Sequence, residues 1–258
     1  MMKPEQQPLF IAFATQKGGV GKTTFTILAA SYLHYTKGFN VLVVDCDYPQ
    51  HSIYAMRERD IEQVKLQEDY KLLAMEQFRA LDKRAYPVLK STTENATVMV
   101  NEFLEETDMP VDLVFFDLPG TVNAAGAFHT LAQLDHIFIP ITADRVVLES
   151  SLNFATAINK IAVCNPDSRT KSLAVFWNMV DKREKTELYK VYGKGINSLG
   201  LTLLNTRIPD TKRYRKETAR QGKTPFRSTL FPPNREMERG SNLVDLIEEV
   251  CSIIKLKV

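Results

Sequence analysis

The sequence is poor in cysteine, has no long apolar run and contains no Gly/Ser-rich linker. Its cysteines, Cys46, Cys164 and Cys251, are odd in number and widely spaced, so we expect neither disulfides nor a paired-cysteine metal site. The apolar runs are too short to span a membrane, and the first residues do not form a signal peptide. We therefore expect a cytoplasmic protein that binds no membrane. Without a linker, the length of 258 residues predicts a single domain over residues 1–258.

An excess of charge of one sign is also missing, because the net charge is only +2. Binding of a nucleic acid would therefore depend on a local cluster of positive charge. Residues 211–227 form such a cluster, and a helix over 211–221 would place Lys212, Lys216 and Arg220 on one face. This face suits the DNA phosphate backbone, with a solvated basic face as an equal alternative. The candidate DNA-binding residues are Lys212, Arg213, Lys216, Arg220, Lys223 and Arg227.

Short apolar runs alternate with helical patterns along most of the chain. The predicted strands are 9–14, 41–45, 111–119, 136–141, 173–180 and 201–206, and the predicted helices between them include 22–35, 124–134, 145–163 and 184–198. This alternation predicts an α/β fold with a mostly parallel, twisted sheet flanked by helices on both faces, in three layers. Residues 52–107 are charged and give only one clear signal, a helix near 70–81 with a break at Pro87. This segment is a candidate partner-facing surface.

The sequence TQKGGVGKTT at 15–24 has the features of a phosphate-binding loop. It follows a predicted strand and opens a predicted helix, so that backbone N–H groups can converge on phosphate oxygens. Lys22 would supply a charge to the β and γ phosphates of a nucleotide, and the Thr23 hydroxyl is placed to ligate Mg²⁺. The predicted phosphate-binding residues are Gly18, Gly19, Val20, Gly21, Lys22, Thr23 and Thr24.

Aspartates end two of the predicted strands. Asp45 and Asp47 follow VLVV, and Asp117 follows VFF. Open parallel sheets bind ligands at the carboxyl ends of their strands, so these aspartates are placed at the predicted ligand-binding edge. Asp117 is the expected Walker B carboxylate, which holds Mg²⁺ through water. The alternative for Asp45 and Asp47 is that they cap the turn that follows the strand, and the alternative for Asp117 is a carboxylate that only ends its strand.

The loop KGGVGKTT resembles the deviant phosphate-binding loop of the ParA and MinD family of P-loop ATPases, and Gln16 favours the ParA branch. The resemblance implies ATP and Mg²⁺ as ligands, with Lys17 reaching across a dimer interface to the ATP of the partner subunit. The segment from Asp45 resembles the family's D-x-D-P-Q motif, which implies that Asp47 orients the attacking water and that Asp45 supports Mg²⁺. Tyr48 is an extra residue relative to the commonest form of this motif.

Three further segments match the family. The D-x-P-G turn implies that Gly120 lies near the γ phosphate and moves when ATP becomes ADP. Asn178 resembles the asparagine that contacts the adenine edge, and its amide can both donate and accept there. Pro209 and Asp210 resemble the turn that packs against the base. An ordinary turn is the alternative for these last residues.

The resemblance implies a ParA-like ATPase in which ATP drives a sandwich homodimer that binds DNA non-specifically on the nucleoid. Slow hydrolysis, stimulated by a ParB-like partner, would then release the DNA and so drive partitioning of a plasmid, a chromosome or a mobile element.

Two alternatives use the same nucleotide switch. The variation D-x-D-Y-P-Q-H-S at 45–52 also resembles ParA-like proteins of conjugative elements, which implies regulation of or assistance in conjugative transfer. A MinD-like positioning ATPase would need a basic amphipathic tail. The segment 242–254 has a helical period with acidic residues on its polar face, so we predict a helix that packs on the core.

Overall fold

The computed structural model of this protein describes residues 7–120, 125–181, 183, 186–215, 224–234 and 238–257. Within these residues, seven parallel strands form one sheet. The strands are β1 (Leu9–Phe13), β2 (Val41–Asp45), β3 (Val88–Lys90), β4 (Leu113–Asp117), β5 (His136–Ile141), β6 (Ser172–Val180) and β7 (Thr202–Pro209). They lie in the order β3-β2-β4-β1-β5-β6-β7 across the sheet.

The helices are α1 (Lys22–Ser31), α2 (Ser52–Leu66), α3 (Glu68–Leu81), α4 (Ala96–Glu106), α5 (Ala125–Ala132), α6 (Arg145–Ile158), α7 (Thr186–Ser198) and α8 (Leu243–Ile253). Short π-helical turns at Tyr32–Thr36 and Asn159–Val163 continue α1 and α6. The helices predicted at 22–35 and 145–163 therefore extend over the expected lengths.

Helices cover the sheet on both faces. In β1, Phe10 and Ala12 pack into one hydrophobic cluster, whereas Ile11 and Phe13 pack into another. The first cluster contains residues of α4, α6 and α7, and the second contains residues of α1, α2 and α8. Successive strand side chains point to opposite faces, so each central strand contributes to both clusters. The predicted three-layer α/β fold is confirmed.

The charged segment 52–107 holds more structure than its sequence indicated. The predicted helix at 70–81 lies within α3, but α2, β3 and α4 were not predicted. Helix α2 buries only a narrow stripe, Ile53, Met56 and Asp60, so its apolar period is weak. Strand β3 is a three-residue edge strand with little buried surface. Both elements depend on packing against β2, which a local pattern does not reveal.

Between residues 206 and 221 the structure differs from the sequence-based predictions in two elements. Strand β7 continues past the predicted 206 through Pro209, and the predicted helix over 211–221 begins instead as a 3₁₀ turn at Lys212–Arg215. The rest of that predicted helix, 216–221, lies outside the described residues.

Helix α8 buries the apolar face predicted for 242–254 against β7 and the second cluster. Its Glu249 carboxylate accepts hydrogen bonds from the backbone N–H of Asn205 and Thr206 at 2.7 and 2.9 Å. Thus α8 packs on the core, as its apolar period predicted. In the part of the chain that the structure describes, no helix is long and apolar enough to cross a membrane.

Candidate nucleotide-binding site

The loop after β1 turns sharply into the first residue of α1. Gly19 and Gly21 have φ values of 76° and 93°, in the left-handed region that favours glycine. A Cβ atom on Gly21 would lie 3.1 Å from the Phe25 ring and 3.2 Å from the Asn178 amide nitrogen. Gly21 is therefore required both by its backbone conformation and by close packing.

Lys22 is the first residue of α1 and is only 9% exposed. Its ammonium donates a hydrogen bond to the Lys17 carbonyl oxygen at 3.3 Å. Burial lowers the pKa of Lys22, and the nearby carboxylates of Asp117 and Asp47 oppose this shift. A Cβ atom on Gly120 would lie 3.1 Å from the Lys22 nitrogen, so the turn after β4 contacts the loop directly. Movement of Gly120 with the nucleotide stays a prediction.

Thr23 and Asp117 form the second part of the site. The Thr23 hydroxyl donates a hydrogen bond to Asp117 Oδ2 at 2.8 Å. Asp117 is fully buried, and its Oδ1 has no hydrogen-bond partner among the residues that the structure describes. Burial raises the pKa of Asp117 to about 7, although the bond from Thr23 lowers it. A buried carboxylate with an unsatisfied oxygen fits a divalent cation, and Mg²⁺ is commonly held by one or two carboxylates together with phosphate oxygens.

Asp45 lies beside Asp117, since the two are register partners on β2 and β4. Its Oδ2 accepts hydrogen bonds from the backbone N–H of Ile53 and Tyr54 at 2.8 and 3.0 Å. Its Oδ1 accepts a hydrogen bond from the Asp47 N–H at 3.3 Å. Asp45 therefore anchors the first turn of α2, which is the turn-capping alternative described above. Its role near Mg²⁺ stays a prediction.

Asp47 and Lys17 both lie near Lys22. Asp47 is partly buried, and its carboxylate is close enough to Lys22 to influence that lysine electrostatically. The Lys17 ammonium has no hydrogen-bond or ion-pair partner in the described part of the chain. Tyr48 is 66% exposed, and its ring packs edge-on against His51. The catalytic roles of Asp47 and Lys17 stay predictions.

A cleft of about 180 Å³ opens between the loop and the ends of β6 and β7, and we call it the β6–β7 cleft. Asn178, Pro209 and Asp210, which the sequence assigned to the base, all line it. Asn178 lies where the pairing of β6 with β7 shifts register, an irregularity typical of strand ends at ligand sites. Its amide nitrogen donates to the Val20 carbonyl oxygen at 2.9 Å, which ties β6 to the phosphate-binding loop.

Two aromatic residues of the β6–β7 cleft were missed in the sequence. The Phe25 and Tyr214 rings lie 5.8 Å apart, and both line the cleft. The Tyr214 hydroxyl donates to the Ser241 carbonyl oxygen at 2.6 Å, which holds the ring in place. Neither residue belongs to a local motif, so no pattern in the sequence could have identified it.

Arg227 lies in the β6–β7 cleft. The sequence assigned it to a basic DNA-binding face, but it is partly buried and lines the β6–β7 cleft. Its Nη1 donates to the Thr24 hydroxyl at 2.7 Å. This position differs from the exposed basic face that the sequence predicted, and contact of Arg227 with DNA stays a prediction. Of the other candidates, Lys212 is exposed, Arg213 donates to the Arg239 carbonyl oxygen, and Lys216, Arg220 and Lys223 lie outside the described residues.

A parallel sheet whose central strand leads through a glycine-rich loop and a buried lysine into a helix defines a P-loop nucleotide-binding protein. More particularly, the chain belongs to the CobQ/CobB/MinD/ParA nucleotide-binding domain family, whose model matches residues 11–224. The chain is 31% identical over 185 residues to the chromosome-partitioning ATPase Soj of Thermus thermophilus, covering 67% of this chain and 70% of Soj.

Two solved structures show the same fold. The cell division protein MinD of Aquifex aeolicus superposes with a TM-score of 0.61 at 18% identity, covering 97% of this chain and 98% of MinD. A putative plasmid partition protein of Borrelia burgdorferi bound to AMPPNP gives a TM-score of 0.60 at 17% identity, covering 98% of this chain and 100% of that protein.

Proposed function

We propose that this chain is a Mg²⁺-dependent ATPase of the ParA type that uses an ATP-bound homodimer to partition DNA. The observation that carries this proposal is the convergence of Lys22, the Thr23–Asp117 pair and the β6–β7 cleft on one edge of the sheet. A nucleotide seated there would place its phosphates on the loop and its base in the cleft. The 31% identity to a chromosome-partitioning ATPase supports the same conclusion.

The residues of this chain have separate roles in the proposed reaction. Backbone N–H groups of the loop and the Lys22 ammonium bind the phosphates, while Thr23 and Asp117 hold Mg²⁺. The metal ion, when bound, neutralises charge on the β and γ phosphates. Asp47 lies near Lys22 and orients the water that attacks the γ phosphate.

The surroundings of Lys17 are evidence for the proposed homodimer. Lys22 already serves the phosphates of its own subunit, while the Lys17 ammonium has no partner in the described part of the chain. We propose that this lysine reaches the ATP of a second subunit, where it would stabilise charge that develops during phosphoryl transfer. In related enzymes a cation supplied in this way accelerates hydrolysis roughly 10³- to 10⁵-fold.

The proposed cycle in the cell follows from this switch. The ATP-bound dimer binds DNA non-specifically on the nucleoid, and a ParB-like partner triggers hydrolysis and release. The basic residues from Lys212 to Lys223 are the candidate DNA contacts.

A role in conjugative transfer is the second candidate, favoured by the D-x-D-Y-P-Q-H-S variation at 45–52. Helix α8, which packs on the core with an acidic polar face, gives no support to a MinD-like membrane role.

The dimer is tested by light scattering after gel filtration, with Mg²⁺ and a slowly hydrolysed ATP analogue. Wild-type protein should form a dimer that retains DNA of arbitrary sequence. Lys22→Ala protein should bind no nucleotide and therefore remain a monomer. Lys17→Ala should bind ATP in its own subunit but hydrolyse it roughly 10³-fold more slowly. Lys65→Ala, at an exposed position of α2, is the charge-matched control.

Lys22→Ala protein that dimerises and retains DNA as well as the wild type would refute the proposal. The choice between partitioning and transfer is made in cells. An element carrying Lys22→Ala should be lost from dividing cells if the protein partitions DNA, whereas a fall in transfer frequency alone would favour the second candidate.

A further inference from the structure

Arg227 brings a second positive charge to the nucleotide site. It lies about 200 residues after the phosphate-binding loop in the sequence, yet its guanidinium bonds to the Thr24 hydroxyl at 2.7 Å. Thr24 is in the first turn of α1, where backbone N–H groups point toward bound anions. Arg227 also lines the β6–β7 cleft together with Asn178 and Pro209. It therefore lies between the phosphate-binding turn and the base candidates.

The two cations of the site contact different parts of the loop. The Lys22 ammonium contacts the Lys17 carbonyl oxygen and approaches Gly120, and neither Lys17 nor Gly120 lines the β6–β7 cleft. Arg227 contacts Thr24, which does line the cleft. A nucleotide with its base in the cleft and its terminal phosphates at Lys22 would thus pass Arg227 where the ribose joins the phosphate chain.

The backbone that carries Arg227 is fixed by the residues that follow it. The buried Asp60 carboxylate of α2 accepts hydrogen bonds from the Ser228 hydroxyl at 3.0 Å and from the Thr229 N–H at 2.7 Å. Arg57 donates to the Thr229 hydroxyl at 2.9 Å and to its carbonyl oxygen at 3.0 Å. Because this segment is already ordered, binding a ligand through Arg227 costs little additional conformational entropy.

We propose that Arg227 is a nucleotide-binding residue that contacts the α phosphate from within the same subunit. The inference rests on the proposed nucleotide site and names a further residue in it. Arginine has five N–H donors in a planar fork, so the bond to Thr24 can coexist with a contact to a phosphate oxygen. Since ATP, ADP and AMP all carry the α phosphate, Arg227 would strengthen the binding of all three.

The test compares dissociation constants of wild type and Arg227→Gln for ATP, ADP and AMP, measured by competition with a fluorescent ADP in the presence of Mg²⁺. Loss of a charge-assisted hydrogen bond should weaken all three nucleotides by a similar factor, roughly 10- to 100-fold. Lys22→Ala serves as the reference, because its loss should be larger for ATP than for AMP. Unchanged affinities for Arg227→Gln, or a loss confined to ATP, would overturn the inference.

Arg57→Gln is the matched control for a purely structural effect. It removes another arginine that holds the same segment through Thr229, but Arg57 does not line the cleft. It should lower the melting temperature while changing nucleotide affinity less than about threefold. A loss of affinity as large as that of Arg227→Gln would show that the segment acts by packing and would overturn the direct contact. Wild-type protein that binds none of the nucleotides would instead refute the proposed function itself.

Discussion

The carboxyl ends of β2 and β4 each carry a buried aspartate at the same register, but the two carboxylates differ in their hydrogen-bond partners. Asp45 and Asp117 are paired across the two strands, and both are fully buried. The Asp45 carboxylate accepts hydrogen bonds from three backbone N–H groups at the start of α2 and in the loop before it. The Asp117 carboxylate accepts one from Thr23, and its Oδ1 has no partner among the described residues.

This difference predicts that Asp117, more than Asp45, depends on a ligand to complete its contacts. Backbone N–H groups donate to both oxygens of the Asp45 carboxylate, so each of these oxygens has a hydrogen-bond partner within the fold. Asp117 lacks such partners, and burial raises its pKa to about 7. Buried polar atoms are normally satisfied, so an unsatisfied carboxylate oxygen next to a phosphate-binding loop indicates that a ligand completes the site.

The largest expected effect is on catalysis at the end of β4. Asp117→Asn should reduce Mg²⁺-dependent ATP hydrolysis roughly 100-fold, because the amide cannot replace a carboxylate that orients a metal-bound water. Hydrolysis is measured by phosphate release at saturating ATP, with Asp108→Asn, an exposed position, as the control. If the Asp117→Asn protein hydrolysed ATP at the wild-type rate, Asp117 would not be needed for catalysis and would not differ from Asp45 in function.

At the end of β2 the expected effect is on stability. Asp45→Ala should lower the free energy of unfolding by about 2–4 kcal/mol, because the N–H groups of Ile53 and Tyr54 lose a charged acceptor. Urea denaturation of the nucleotide-free protein measures this change. Asp45→Asn retains an acceptor oxygen and should lose less. If Asp45→Ala left stability unchanged but abolished the dependence on Mg²⁺, the two strand ends would be functionally alike.

The smallest expected effect is a dependence of stability on pH. The folded-state pKa of Asp117, about 7, lies above its ordinary value of 3.8. The unfolded chain therefore releases this proton first, and the metal-free protein loses stability as pH rises from about 4 to 7. The slope is at most about 1.4 kcal/mol per pH unit. Urea denaturation at pH 6 and pH 7 samples the upper end of this window and should show a loss of at most about 1.4 kcal/mol in wild type relative to Asp117→Asn. Mg²⁺ should bind more tightly at pH 8 than at pH 6. Identical pH profiles for the two proteins would contradict the assignment.

Much of the fold could be predicted because buried parallel strands and their covering helices have strong local patterns. Strands β1, β2 and β4 are short, continuous apolar runs, and each ends where the sequence becomes polar. Helix α2 and strand β3 could not be predicted in the same way. One buries a narrow stripe, and the other is a short edge strand, so both form only when β2 is present to pack or pair with them.

Sequence by itself determined the phosphate-binding loop, because Gly21 and Lys22 act through the backbone and charge of one contiguous turn. Tertiary structure alone decided that Tyr214 and Arg227 share a cleft with Asn178, and that Asp45 anchors a helix while Asp117 keeps an unsatisfied oxygen. The physical reason is the range of the interactions involved. A loop conformation is set by neighbouring residues, whereas burial and hydrogen-bond satisfaction depend on segments that meet only after the chain has folded.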